Sequence, residues 1–157
     1  MRMVSKWACI AVCVMVAWVF GSCNRSTAYY HYEHTPLDGW DKNDTVYFQV
    51  ASLDAGNYRE ELGLRVDDKY PFQALTLVVS HKILPSGYTL TDTVNCSLAD
   101  KHGRMKGTGI SHYQYNFHIN TLSFREGDSL CVISIRHNMK REVMPGITDV
   151  GIRLDRQ

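Results

Sequence analysis

Val46-Tyr47-Phe48-Gln49-Val50 alternates three apolar residues with two that suit an outward face, and Leu62-Gly63-Leu64-Arg65-Val66 repeats the period. Successive side chains of a strand point to opposite faces, so each run reads as a strand that buries one side. From Tyr29 onward this period holds almost everywhere, and no window of helical length carries a sustained 3.6-residue stripe. Leu75-Thr76-Leu77-Val78-Val79 is apolar on both faces and is predicted to lie centrally in its sheet. Runs at Thr89 to Leu98, Tyr113 to Leu122, Ser129 to Ile135 and Val150 to Leu154, with Tyr29 to Glu33, bring the expectation to about eight short strands. Turn chemistry separates them at Pro36 to Gly39, Asp54 to Asn57, Pro85 to Gly87, Glu126 to Asp128 and Pro145-Gly146. The spacing predicts an all-β fold, a single antiparallel β-sandwich over 29–157. One helical turn is expected at Asn138 to Met144, where Met139, Val143 and Met144 share a helical face.

The chain opens with Arg2 and Lys6, then runs uncharged for 14 residues from Trp7 to Phe20 before Gly21-Ser22-Cys23. A helix over that run rises roughly 21 Å, short of a hydrocarbon core of about 30 Å. The order of parts is that of a signal peptide over 1–22, and two small residues before a cysteine predict cleavage between Ser22 and Cys23 with acylation of Cys23. Each buried methylene contributes about 0.8 kcal/mol, so two or three acyl chains on Cys23 anchor firmly to lipid. Residues 23–28 then form a short lipidated tether. Asn24-Arg25-Ser26 follows the cysteine, with no aspartate beside it and no acidic cluster. By lipoprotein sorting rules this predicts a lipid anchor in the outer membrane, on its periplasmic face.

Loss of Arg2 and Lys6 leaves 15 Lys and Arg against 16 Asp and Glu, and this balance argues against nucleic acid as a partner. The remainder is large enough to bury a core as one domain. Cys9 and Cys13 leave with the signal, so only Cys96 and Cys131 stand as candidates for a disulfide in an oxidising periplasm. Two separate small core residues are the other reading, because a bridge needs Cα atoms within roughly 7 Å.

Catalytic signatures are weak. Gly109-Ile110-Ser111-His112-Tyr113 starts like a nucleophile elbow but ends in Tyr and precedes a strand. His31, Glu33 and His34 have metal-capable groups, yet on a strand His31 and Glu33 share one face and His34 takes the other, so no metal is expected. Asp38, Asp41, Asn43 and Asp44 crowd one loop without calcium-hand spacing, which suits backbone capping. Trp40 within that loop reads either as a stacking or partner contact or as a lid over the sandwich end. Lys101, His102, Arg104 and Lys106 form the densest basic patch, a solvated loop or a contact for an anionic headgroup or acidic partner. No enzyme and no cofactor is expected. A membrane-tethered carbohydrate- or peptide-binding sandwich, with Trp40, Tyr70 or Tyr88 as platforms, is the alternative to a protein-binding one.

Gly39-Trp40, Lys42, Asp44-Thr45, Leu64-Arg65, Asp68, Tyr70-Pro71 and Asp92-Thr93 follow one another along the chain, and Leu98-Ala99-Asp100 precedes Gly103, Gly107 and Gly109. Asn138-Met139-Lys140 and Gly146-Ile147 with Asp149-Val150-Gly151-Ile152-Arg153 complete a pattern that resembles the GldH family of gliding-motility lipoproteins of the Bacteroidota. The resemblance covers nearly the whole chain after Cys23. It implies an outer-membrane lipoprotein, without known catalytic activity, accessory to the gliding machinery and the linked type IX secretion apparatus. Its implied partners are outer-membrane lipid, through Cys23, and other envelope proteins.

Overall fold

The computed structural model describes residues 26–157. The expected signal peptide, its cleavage site at Ser22 and Cys23, and the tether up to Arg25 lie outside the described residues. Among the described residues there are eleven strands: β1 (Thr27–His34), β2 (Trp40–Asp41), β3 (Val46–Ala51), β4 (Gly56–Asp67), β5 (Ala74–Leu84), β6 (Tyr88–Ser97), β7 (Thr108–Gly109), β8 (His112–Phe124), β9 (Leu130–His137), β10 (Val143–Met144) and β11 (Ile147–Arg156). The eight longer ones correspond to the eight expected runs. One sheet has the order β1-β11-β4-β8-β7, the other β3-β9-β5-β6, and β2 pairs with β10 as a small ribbon. Every pairing is antiparallel, and the fold is a sandwich. β5 is an interior strand of its sheet, as its double-sided apolar pattern predicts.

The expected helical turn at Asn138 to Met144 is absent. Val143 and Met144 instead form β10 opposite Asp41 and Trp40, and the Lys42 N–H donates to Glu142 O at 2.8 Å. Burial decides the matter: Met144 is a core residue, and the ribbon satisfies backbone groups across strands while Met144 packs inward. Gly146, at φ 79°, then turns the chain straight into β11.

Tyr58, Leu62, Leu64 and Val66 of β4 face Leu75, Leu77, Val79 and Ile83 of β5, and Phe48, Val50, Ile133 and Ile135 extend this core. Each such side chain contributes about 1.5–3 kcal/mol by leaving water. On the outer face of the first sheet, the Tyr32 ring lies across Gly151 and Gly63, neighbours on β11 and β4. A Cβ at Gly151 would meet that ring at 2.6 Å, so glycine permits the approach. Arg65 covers the ring, its guanidinium 4.3 Å from the centroid.

The strands give the sandwich two distinct ends. Thr27, the 52–55, 85–87 and 125–129 links and Arg156 lie at one; the 35–39, 68–73, 98–107 and 138–142 links lie at the other.

Candidate functional site

On β4 the inward positions run Tyr58, Glu60, Leu62, Leu64, and on β5 they run Leu77, Val79, His81, Ile83. One carboxylate and one imidazole thus occupy apolar register positions in facing sheets. They meet: His81 Nε2 lies 2.9 Å from both oxygens of Glu60, and both side chains are fully buried. Burial alone pushes the His81 pKa down, but the hydrogen bond and negative charge of Glu60 outweigh it and hold the value above the ordinary one. A bulge sits beside the pair, where Arg59 opposes Thr121 but Glu61 opposes His118, leaving Ile119 and Asn120 across from Glu60 alone. Asn120 Nδ2 reaches Asp92 of the other sheet at 3.3 Å. The pair is sealed from solvent and joins the sheets.

A second buried histidine behaves oppositely. His137 Nε2 lies 3.1 Å from Trp40 O, and its Nδ1 accepts the Met139 N–H at 3.4 Å. Burial holds its pKa below the ordinary value, so the neutral ring is the stable one. Trp40 itself is fully buried, its indole N–H donates to Asp44 O at 3.0 Å, and its ring meets His137 edge-on at 5.4 Å. This corrects the reading of Trp40 as a stacking or partner contact; it is the lid over the sandwich end. Tyr70 is likewise buried, its hydroxyl on Ala74 O at 2.8 Å, whereas Tyr88 is half exposed.

Cys96 and Cys131 are both buried and free. Cys96 is opposite Leu75 and Cys131 opposite Ile83, on the two sides of β5. Their positions are therefore about 26 Å apart along β5, far beyond bridging range. Of the two readings of these cysteines, this geometry rules out the disulfide and leaves two separate core residues. Burial pushes both thiols up to about 12, so they are inert core groups.

The acidic loop caps itself, Asp41 Oδ1 accepting the Asn43 N–H at 2.8 Å. His31 Nε2 approaches Glu33 at 3.0 Å on one face of β1, while His34 Nδ1 turns to Asp149 at 2.6 Å. The basic patch is a closed loop. Asp100 accepts the N–H groups of His102 and Arg104 and the Arg104 Nε–H, which hold its carboxyl below the usual range, the Arg104 N–H foremost. Lys106 Nζ bonds Ser97 Oγ at 2.6 Å, and Lys101 and His102 remain exposed.

Along one side of the sandwich, β1 and β3 end their respective sheets with open space between them. Two cavities, of about 430 and 440 Å³, share Glu33 and Tyr47 and form one groove. Its walls carry Tyr29, Tyr30, His31 and Gln49, and His31 crosses to Phe48 with ring centroids 6.4 Å apart.

Residues 27–154 match the sequence profile described as GldH lipoprotein. The chain belongs to the GldH lipoprotein family. A relative of this GldH-type chain, the gliding motility lipoprotein GldH of Flavobacterium johnsoniae, is 26% identical over 153 residues, spanning 93% of this chain and 95% of the relative. Among solved structures, a 4-O-methyl-α-glucuronidase with specificity for decorated arabinogalactans overlaps 87% of the chain with a TM-score of 0.49 at 13% identity. The infectious bursal disease virus VP2 subviral particle overlaps 83% with a TM-score of 0.37 at 12% identity. The chain spans only 18% and 32% of those two proteins, and the overlaps carry nothing about its role.

Reading the sequence for chemistry missed the Glu60–His81 pair. Its signal was present, since each residue interrupts an otherwise apolar inward parity. The groove had no such signal, because which strands become edges depends on pairing across the whole chain.

Proposed function

We propose that this chain is a lipid-anchored, non-enzymatic accessory of the gliding-motility and type IX secretion-associated envelope machinery, acting by binding other envelope proteins. The end-to-end relationship to a gliding motility lipoprotein carries this reading. Acylated Cys23 holds the domain on the periplasmic face of the outer membrane. Thr27 opens the first strand four residues later, a reach of about 13 Å at most, so the Thr27 end rides against the bilayer. Lys101, His102, Arg104 and Lys106 then face away from that bilayer, which favours an acidic protein over the anchoring membrane's headgroups as their partner. The sealing of Glu60 and His81 inside the core favours a binding role over catalysis, because no substrate reaches them.

Deletion of the gene tests the role: loss of cell spreading and of type IX cargo secretion is expected, and normal behaviour in both removes it. Cys23→Ala tests the anchor. The variant should fractionate as soluble protein, and a wild-type amino terminus found unacylated by mass spectrometry defeats the localisation.

A further inference from the structure

Exposed sheet edges are hazards, which proteins blunt with charges, prolines, bulges or covering segments. Three of the four lateral edges here carry such a device. β1 has a register shift between Thr27 and Tyr29 and bears Glu33. β6 bears Asp92, tied across to Asn120 at 3.3 Å, and β8 is partly covered by β7. Among the described residues, β3 has none of these. Its six residues, VYFQVA, contain no charge, proline or glycine, and its register against β9 is unbroken. High β propensity without charge is the pattern that pairs with another strand when left open.

The direction of its free backbone groups follows from two bonds. The Asn138 N–H donates to Thr76 O at 2.8 Å, so even-numbered residues of β9 face β5 and the odd ones face β3. Cys131, Ile133 and Ile135 oppose Val50, Phe48 and Val46, which therefore bond to β9, and the Ser52 N–H on Ser129 O at 3.1 Å keeps that alternation. The N–H and C=O groups of Tyr47, Gln49 and Ala51 are left pointing off the sheet. They border the β1–β3 groove, whose tyrosines offer rigid, low-entropy contact area to alternate side chains of an incoming strand.

We infer that β3 is a docking edge that takes an extended segment of another protein as an added strand, running along the groove between β1 and β3. This rests on the protein-binding reading above and names the surface and the mode. Main-chain bonds to Tyr47, Gln49 and Ala51 supply affinity, and pockets beside Tyr29, Tyr30, His31 and Tyr47 select side chains.

The test separates backbone from side chain at one residue. Gln49→Pro deletes an outward N–H donor without touching a β9 bond, and an edge strand tolerates such a proline. Gln49→Ala keeps the donor. A displayed library of random twelve-residue peptides is selected on the full-length lipoprotein in detergent micelles. Selected peptides should slow amide exchange at Tyr47, Gln49 and Ala51 and bind about tenfold more weakly to Gln49→Pro than to Gln49→Ala, both variants lacking the glutamine side chain that lines the groove. Thermal melts confirm that the proline variant is folded; if it is not, Tyr47→Lys and Gln49→Lys, which charge the edge, replace it and should weaken binding likewise. Peptides that bind elsewhere, or equally well to proline and alanine variants, overturn the assignment. So does a wild-type dimer that Gln49→Pro makes monomeric, since the edge then belongs to a second copy. Envelope proteins that co-purify from native membranes equally with wild type and Gln49→Pro sink this edge but leave protein binding standing; no co-purifying envelope protein with wild type sinks both.

Discussion

Glu60 and His81 are each costly to bury alone and acceptable only together. Removing one partner leaves an uncompensated polar or charged group in the core, at a cost of about 3–5 kcal/mol, whereas an apolar pair of similar volume is often neutral or better. His81→Leu and Glu60→Leu singly should therefore lower the melting temperature sharply, and the double variant should recover most of the loss. Chemical denaturation of the four proteins measures the coupling, and additive losses would mean that the two side chains do not depend on each other. The two buried histidines also set opposite pH limits. His81 has a raised value, so its contribution is complete below the unfolded value of about 6.5 and is lost as pH climbs through the folded one. His137 has a lowered value, so its contribution is complete above about 6.5 and fades as pH falls. Melting temperature against pH should fall on both flanks, and the Glu60→Leu, His81→Leu double variant should lose the alkaline fall attributable to His81 while keeping the acid one. Protonation of the native carboxylates steepens the acid side in every variant, so the alkaline flank is the diagnostic one.

Strand β1 is held by β11 and by a ring over glycine. Gly151→Ala drives a methyl group into the Tyr32 ring, which must swing away and lose its stacking under Arg65. A loss of about 1–3 kcal/mol is expected, as for overpacking generally. In a Tyr32→Ala background the same substitution should cost nearly nothing, and an undiminished cost there would locate the strain elsewhere. Legibility differed between elements for the same local reasons. All eight long strands were readable because side-chain alternation is a local property, as at Val46 to Val50. Val143-Met144 misled because two residues have no period, and their pairing with Trp40-Asp41 is made across about 100 residues of chain. Cys96 and Cys131 both read correctly as strand residues, but β5 lying between their strands is a fact of sheet order, which no local pattern encodes. Since neither thiol has a partner among the described residues, a reducing agent should leave the melting temperature unchanged, and a reductant-sensitive transition would contradict the sheet order.

At the scale of the molecule, the chain closes on itself. β1 begins at Thr27 and pairs with β11, which ends at Arg156, and β11 in turn pairs along β4. The strand with which the described residues begin is thus locked by β11, so on the proposed anchoring through Cys23 a pull on that end would pass through β1 into β11 and the core. Truncation should reveal this dependence. Removing 147–157 deprives β1 of its ladder and β4 of one of its two, and it takes Ile147, Val150, Ile152 and Leu154 out of the core. At about 1.5–3 kcal/mol for each buried side chain, that loss alone matches the usual whole-domain stability of about 5–15 kcal/mol. The truncated chain should show no cooperative thermal transition, whereas a chain starting at Ser26 should melt like the full-length protein. Circular dichroism melts of the two decide it, and a cooperative transition without 147–157 would show that the other nine strands and β1 can form a core that does not need β11.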